Sequence, residues 1–434
     1  NIINENSNTI TIGASGDTIA LASGASQTGF GRTGTVNWQT TIKTSGFTAA
    51  NGEGYFIDTN SGGFTVNLPA GSAGDIVAFK DYRNTFDTGN LILSPNGTDK
   101  IGGINLDATL DTESQSVTLI FTDSTRGWLD IHDSTSDIKG TTFIAATGGT
   151  VTTSGNCKIH TFTGPGTFCV SALSTFATNN IVSHLVIAGG ASAGGDAGGG
   201  GGAGGYREVK NPVNSFTASP LDGFCTPANQ VTVTATAFPI TVGAGGASTP
   251  AACGPASSVG NDGSNSVFST ITSAGGGGGG AFTPSAGRNG GSGGGGRGTC
   301  SPAGTGNTPP VTPAQGFPGA TTPTGYSGGG GGATGAGTRG APSTSGGAGG
   351  PGATSSINGS PVGRAGGGGG GTGSNWPTVG PATDGGGAGG VGPSGGAPGS
   401  NATANTGGGG GGGSDNSGGG AGGSGLVIIR YKFQ

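Results

Sequence analysis

Short runs of alternating apolar and polar residues fill the N-terminal part of the chain. Phe64, Val66 and Leu68 share one face of an extended segment, because successive side chains of a strand point to opposite faces. Turn-forming Gly, Pro, Asn and Ser residues separate this segment from similar ones. The other candidate strands are residues 54–57, 75–79, 91–93, 116–121 and 127–131. Their spacing predicts an all-β, sandwich or jelly-roll-like domain over residues 33–138, with essentially no α-helix.

The first 32 residues contain a shorter repeat. Ile10 and Ile12 recur as Ile19 and Leu21 at a spacing of nine residues, with Gly, Ser and Asp at the turns. Two such repeats cannot bury a core by themselves. We therefore expect residues 1–32 to form a β-repeat shaft that needs sister chains or a following domain, with an ordinary hairpin as the alternative.

A third pattern, over residues 139–188, predicts a β-hairpin connector module. Residues 158–162 and 167–170 alternate in polarity around the turn sequence Thr-Gly-Pro-Gly at 163–166. A strand at residues 181–188 then leads into the glycine-rich part of the chain. Further candidate strands there are residues 231–234, 238–242 and 266–271.

Glycine supplies 106 of the 434 residues, concentrated between residues 189 and 425. Such composition is typical of a disordered linker. However, apolar, β-branched strands at residues 183–188 and 426–433 bracket the glycine runs, which favours order. Ordered glycine can adopt the polyproline II conformation, with three residues per turn, and neighbouring helices can then pair their backbone groups. We predict a polyglycine II sandwich over residues 189–434, closed by a terminal strand at 426–433.

Charge narrows the classes of function. Charged residues make up 9% of the chain and the net charge is −5, with no basic stripe of the kind that binds nucleic acid. No apolar run is long enough to span a membrane. The chain contains no Met and shows no signal peptide, so we expect that its true N-terminus was removed or lies outside this sequence.

Candidate catalytic chemistry is sparse. His132, His160 and His184 do not have metal-ligand spacing, and no phosphate-binding loop is present. The carboxylates of the glycine-rich half are widely separated, whereas a glycosidase needs two positioned carboxylates. We expect no enzyme activity, no metal and no cofactor, and we expect His160 and His184 to be satisfied structural residues on strand faces.

The chain has five cysteines, one of which is left over after pairing. Cys157 and Cys169 flank the predicted hairpin, and Cys225 and Cys253 flank another loop region. Both pairs are candidate disulfides, with buried free thiols as the alternative.

The connections between rigid glycine tracts are the predicted binding elements, since loops on a rigid scaffold commonly carry function. Aromatic residues and Arg dominate binding hot spots. The candidate receptor contacts are therefore Phe317, Tyr326, Arg339 and Trp376.

Three groups of motifs resemble glycine-rich tail-fibre proteins of marine, cyanophage-like tailed bacteriophages. The first is the repeat at residues 4–16, and the second is Phe-Thr-Val-Asn-Leu-Pro at 64–69 with Asp-Lys-Ile-Gly-Gly at 99–103. The third comprises residues 186–190, 201–207 and 423–431. The resemblance implies an adhesin with a polyglycine II sandwich, a homotrimeric or adhesin-tip arrangement, and loops displayed to a host receptor.

From these observations we expect a virion fibre protein, extracellular, without nucleic-acid binding or membrane insertion. Its expected partners are other virion tail proteins and a host cell-surface glycan or outer-membrane protein. The alternative is a structural subunit of a secreted extracellular filament or matrix.

Overall fold

The computed structural model describes residues 36–132, 141–252, 254–283, 286–298, 301–322, 327–341, 344–375, 377–392 and 396–434. The predicted shaft, residues 1–32, lies outside the described residues. The chain forms two compact units, one ending at Thr141 and the other comprising Thr142–Gln434. The described residues are β-structure and glycine tracts, with only three short 3-10 helices: Ala177–Asn180, Pro227–Asn229 and Gly254–Ala256. The prediction of an all-β protein is confirmed.

The unit that ends at Thr141 consists of two sheets around one apolar core. Its strands are β1 (Asn37–Lys43), β2 (Phe47–Thr48), β3 (Glu53–Ile57), β4 (Phe64–Asn67), β5 (Ile76–Asp81), β6 (Leu91–Ser94), β7 (Ala108–Leu110), β8 (Ser116–Phe121) and β9 (Trp128–His132). One sheet has the order β1-β3-β5-β8-β9, and the other has the order β2-β4-β6-β7. Both sheets contribute to the core, which includes Phe79, Leu93 and Trp128.

Strand pairing in this unit differs from that of a jelly roll. The first six strands alternate between the two sheets, and their neighbours within each sheet are parallel: β1 with β3, β3 with β5, β2 with β4, and β4 with β6. A chain that alternates between two layers returns to each layer in the same direction, so consecutive strands do not pair. Antiparallel pairing begins only at β7 and β8.

The second unit combines sheets with glycine tracts. Its strands are β10 (Ala145–Thr147), β11 (Thr150–Ser154), β12 (Cys157–Phe162), β13 (Gly166–Ala172), β14 (Ile181–Ile187), β15 (Tyr206–Val209), β16 (Val231–Thr232), β17 (Ala237–Thr241), β18 (Ser266–Phe268), β19 (Ile271–Ser273), β20 (Ala353–Ser355), β21 (Val362–Arg364) and β22 (Leu426–Lys432). The main sheet orders are β11-β12-β22-β14-β15, with β16 beside β14, and β10-β13-β17-β18-β19.

Two predicted elements of this unit are corrected. Strands β12 and β13 do not form a hairpin with each other, because β12 pairs with β11 and β22 whereas β13 pairs with β10 and β17. The strand predicted at residues 266–271 is instead the hairpin β18–β19, which reverses at Ser269 with a φ of 54°. The terminal strand β22 is central to its sheet, antiparallel to both β12 and β14.

Beyond strand β14, the chain enters an array of hydrogen-bonded glycine tracts. Successive amides of residues 188–196 donate in rotation to residues 199–205, residues 258–264 and residues 417–423, over 2.9–3.2 Å. Each neighbour therefore receives every third amide, which is the period of a polyproline II helix. The predicted polyglycine II sandwich is confirmed.

The next tract follows the same rule. Amides of residues 199–205 donate in rotation to residues 274–280, 328–331 and 407–410 over 2.8–3.0 Å. The acceptor number falls as the donor number rises for the first and third neighbours, so these run antiparallel, whereas the second runs parallel. We call the described residues of 188–205, 243–264, 274–351 and 365–425 the glycine lattice.

The lattice has two ends. Residues 188–196 continue strand β14 away from its sheet, and residues 199–205 return to strand β15. The end beside the strands is the sheet end. The opposite end, where Asp196, Gly280, Gly296 and Gly413 complete their tracts, is the distal end.

Many interior positions of the lattice accept only glycine, although Ala and Ser occupy others, such as Ala191, Ser192 and Ala203. A Cβ atom on Gly200 would lie 2.0 Å from the carbonyl oxygen of Gly368, and one on Gly369 would lie 1.9 Å from that of Gly380. These contacts are with backbone, which has no alternative rotamer. Glycine is required here for close approach of two chains and not for a left-handed conformation.

Candidate binding surface at the distal end of the lattice

The predicted contact residues are not all on connections between tracts. Phe317 lies within a tract, where its amide donates to Gly332 and its carbonyl accepts from Gly293, each over 3.0 Å. Its side chain is half-buried. Arg339 is exposed and its backbone is bridged to Gly328. Tyr326 and Trp376 lie outside the described residues.

An aromatic–cation pair at the distal end was missed by the sequence analysis. The guanidinium carbon of Arg297 lies 4.4 Å from the centre of the Phe282 ring, a geometry that attracts a cation to the ring face. Phe282 is 44% exposed. The two residues follow tracts that end at Gly280 and Gly296, so the folded lattice, and not the sequence spacing, brings them together.

Acidic side chains fix the connections around this pair. The carboxylate of Asp196 is buried and accepts bonds from the amides of Gly254, at 2.8 Å, and Asn416, at 3.3 Å. Asp415 accepts a hydrogen bond from the hydroxyl of Ser374. Connections from four different parts of the sequence are thereby tied together. Loops held in this way present their side chains in a preformed arrangement.

The distal charges are partly shielded from water. Burial lowers the pKa of Arg297 from its ordinary value, and the negative charges of Asp196 and Asp415 oppose that effect. A second exposed apolar side chain, Val391 at 42% exposure, also follows a tract that ends here. The distal end thus offers an aromatic ring, a cation and an aliphatic side chain to a partner.

Glu208 of β15 and Arg430 of β22 are buried and have structural partners. The Glu208 carboxylate accepts bonds from the Tyr206 hydroxyl, at 2.9 Å, and from the Ser219 amide, at 3.0 Å. Arg430 of β22 donates to the carbonyls of Ile357 and Ser215 at 3.1 Å and 2.9 Å. These bonds hold the connections of the sheet end against the strands.

The two buried histidines differ. His160 bonds to the carbonyl of Gly148, at 2.7 Å, and to the Tyr431 hydroxyl, at 3.0 Å. His184 is fully buried, yet neither ring nitrogen has a hydrogen-bond partner, so the prediction of a satisfied side chain is wrong for His184. Burial, followed by the positive charge of Arg207, lowers the pKa of His184 to about 3.

The predicted disulfide between Cys157 and Cys169 is not formed. Both are free thiols, one buried and one exposed, because β12 and β13 belong to different sheets. The thiol of Cys157 lies 3.4 Å from the side-chain oxygen of Asn214. Cys225 is an exposed free thiol, and Cys253, its predicted partner, lies outside the described residues.

Among the described residues, no group of three or more His, Cys, Asp and Glu side chains is placed to hold a metal ion. Among the same residues, no helix has the length and apolar character needed to cross a membrane.

The architecture defines a class: an all-β protein whose second unit is a glycine lattice closed by a sheet. The glycine-rich domain family matches residues 161–432, which is more than half of the chain, and the chain belongs to that family. The matched segment begins in β12 and ends in β22, two strands that pair with each other. A comparison with curated proteins found no match.

Proposed function

We propose that the chain is a fibre protein of a virion, a tail fibre or related adhesin, that attaches to a host cell surface through the distal end of its glycine lattice. The proposal rests on one observation: connections between several tracts lie together at the distal end, and hydrogen bonds hold them in place. Loops on a rigid scaffold are common binding elements, and a buried hydrogen-bonded lattice is such a scaffold.

The chemistry of the distal end supports the proposal. Phe282, which is exposed, and Arg297, which is half-buried, form a pair of the residue types that dominate binding hot spots. Asp196 and Asp415 hold the neighbouring connections in place, so little conformational entropy is lost when a receptor binds. The motifs that resemble phage tail-fibre proteins supply the virion context of the proposal.

Cell binding by labelled protein tests the proposal. Purified chain is incubated with a panel of bacteria that includes marine cyanobacteria, and bound label is counted by flow cytometry. The double variant Phe282→Ala/Arg297→Ala should bind at least tenfold more weakly, because each hot-spot side chain contributes more than about 1 kcal/mol. The control is Phe176→Ala, which removes a 56% exposed Phe that precedes β14.

Three results would contradict the proposal: no binding to any cell, equal binding by the double variant, or equal loss in the control. Electron microscopy of the same preparation tests the alternative function. Long filaments formed by the chain alone, together with absent cell binding, would favour a structural subunit of an extracellular matrix.

A further inference from the structure

A groove of about 600 Å³ runs along the lattice close to the distal end. One wall is formed by Ser248, Thr249 and Ala251, and the other by the segment from Gly396 to Asn401. The floor is the start of the tract at residues 416–420. The volume lies within the range of pockets that bind small ligands, roughly 300–1,000 Å³.

The groove exists because the tract that forms its floor lies at the edge of the lattice and bonds to four neighbouring tracts, two fewer than the tract at residues 199–205. Residues 417–423 bond to residues 188–196, 243–249, 397–403 and 407–413. The groove lies between the second and third of these neighbours. The amides of Gly419 and Gly420 already donate to Thr249 and Gly411 inside the lattice, both over 2.8 Å. The floor therefore does not offer a row of free amides to a peptide backbone.

The walls offer uncharged polar groups. Ser248, Asn401 and Asn416 are exposed. Asn401 uses its side-chain oxygen to accept the Ala421 amide at 2.8 Å, which leaves its NH₂ group to donate. Among the described residues, the Ser248 hydroxyl and the Asn416 side-chain amide have no hydrogen-bond partner. Hydroxyl and amide groups together can both donate to and accept from a ligand.

The groove also selects by charge. None of the described residues that line it is charged, so a buried ionic group of a ligand would lose its hydration without gaining a partner. Two carboxylates lie beside the groove: that of Asp196 accepts the amide of Asn416, and Asp415 precedes Asn416 in the chain. Their negative charge repels an anionic ligand. Pro398 and the glycine Cα atoms provide apolar surface for C–H faces.

We infer that this groove binds an uncharged oligosaccharide. Sugar hydroxyls match the donors and acceptors of Ser248, Asn401 and Asn416, and sugar C–H faces match the Pro398 and glycine surfaces. The inference rests on the proposed attachment function and names the chemical class of the receptor. An extended glycine-rich peptide is the competing occupant.

Titration calorimetry with defined ligands tests the inference. The probes are uncharged hexasaccharides of glucose, galactose, mannose and N-acetylglucosamine, a sulfated glucose hexasaccharide, and hexaglycine. At least one uncharged hexasaccharide should bind, and Asn401→Asp/Asn416→Asp should weaken that binding at least tenfold. These substitutions keep the side-chain shape, and they keep the Asn401 acceptor while removing two NH₂ donors and adding charge.

The matched control is Asn405→Asp. Asn405, like Asn416, has a positive φ, 61° against 59°, and its side-chain oxygen accepts the Ser424 hydroxyl. It lies at the sheet end, outside the groove, so its substitution should change the affinity less than twofold. Hydrogen exchange of residues 407–413 verifies that all three proteins are equally folded.

The inference is overturned if no uncharged hexasaccharide binds, if only the sulfated probe or hexaglycine binds, or if the paired variant keeps full affinity. The cell-binding assay separates this failure from that of the proposed function. If Asn401→Asp/Asn416→Asp leaves cell binding unchanged, the groove is not the receptor site, but the proposed attachment function stands. If the protein binds a sugar but no cell, the groove is a sugar site and the proposed attachment function is wrong.

Discussion

The two units of the molecule fill their interiors in different ways. In the unit that ends at Thr141, the interior consists of side chains, and Phe79, Leu93 and Trp128 are fully buried. In the glycine lattice, the interior consists mainly of backbone, and amides such as those of Gly200 and Gly201 bond to separate neighbouring tracts. Burial of apolar surface stabilises the first interior. Paired backbone groups at close approach stabilise the second.

This difference determines what each interior tolerates. A side-chain core loses stability when atoms are removed, because a cavity remains. At its glycine positions the lattice has no side-chain atoms to remove, and glycine also costs roughly 0.5–1 kcal/mol more than Ala in conformational entropy on folding. It should instead fail when a single methyl group is added, since backbone cannot change rotamer to make room.

The largest expected effect is that of Gly369→Val. A Cβ at this position would lie 1.9 Å from the Gly380 oxygen. The Gly369 amide and carbonyl bond to Gly387 and Gly412 at 3.0 Å and 2.8 Å, and each buried group left unpaired costs about 1–3 kcal/mol. Residues 189–425 should therefore lose their resistance to proteolysis.

The control for this variant is Gly164→Val, where a Cβ would meet no atom within 4 Å. Hydrogen exchange of residues 76–81, in the other unit, should be unchanged in both proteins. Rapid cleavage of the unsubstituted lattice, or equal resistance of the two variants, would show that the tracts do not pack as described.

Acid is expected to have a smaller effect on stability, through the buried side chain of His184 in the second unit. Burial holds the pKa of His184 at about 3, against an ordinary value of 6.5. The unfolded chain therefore binds a proton that the folded chain does not. The stabilisation is complete above pH 6.5 and is lost as the pH falls, by roughly 3 kcal/mol at pH 4.5. Burial lowers the pKa of His160 in the same direction.

Urea unfolding at pH 7.5 and pH 4.5, followed by hydrogen exchange of residues 181–187, measures this effect. His184→Leu should reduce the difference between the two pH values by most of that amount. His132→Leu, at an exposed position of the other unit, should leave it unchanged. An equal acid loss in wild type and His184→Leu would assign the loss to other groups.

The smallest effect is expected at the edge of the lattice, where a side chain accepts a backbone hydrogen bond in place of a neighbouring tract. The Asp262 carboxylate accepts the amide of Gly278 at 2.8 Å and pairs with Arg288 at 3.3 Å. Asp262→Ala leaves the Gly278 amide unpaired and should cost about 1–3 kcal/mol. Asp262→Asn keeps an acceptor and loses only a half-exposed ion pair, which should cost less than about 1 kcal/mol.

Thermal unfolding of the three proteins, followed by exchange of residues 274–280, gives the comparison. Asn265 accepts the Gly275 amide at 2.9 Å in the same manner, so Asn265→Ala should resemble Asp262→Ala. If Asp262→Asn proved as damaging as Asp262→Ala, the ion pair and not the backbone acceptor would be the stabilising contact at this edge.

Local pattern was sufficient to predict much of this protein. The candidate strand at residues 116–121 coincides with β8, and those at 64–68 and 91–93 lie within a residue of β4 and β6. Runs of glycine between apolar strands were sufficient to predict the polyglycine II lattice. Both signals are local: a period of two selects one face of a strand, and the absence of side chains permits close approach of backbones.

Tertiary structure decided which elements are neighbours. The pattern of β12 does not identify β22 as its partner, although His160 and Tyr431, 271 positions apart, are hydrogen-bonded. The sequence pattern also did not indicate that strands β1 to β6 pair in parallel within their two sheets. Nor did it indicate that Phe282 contacts Arg297. A glycine tract has no side chains, so its sequence does not distinguish one face from another. Only the folded lattice determines which tracts are its neighbours, whether they run parallel or antiparallel, and at which end each connection lies.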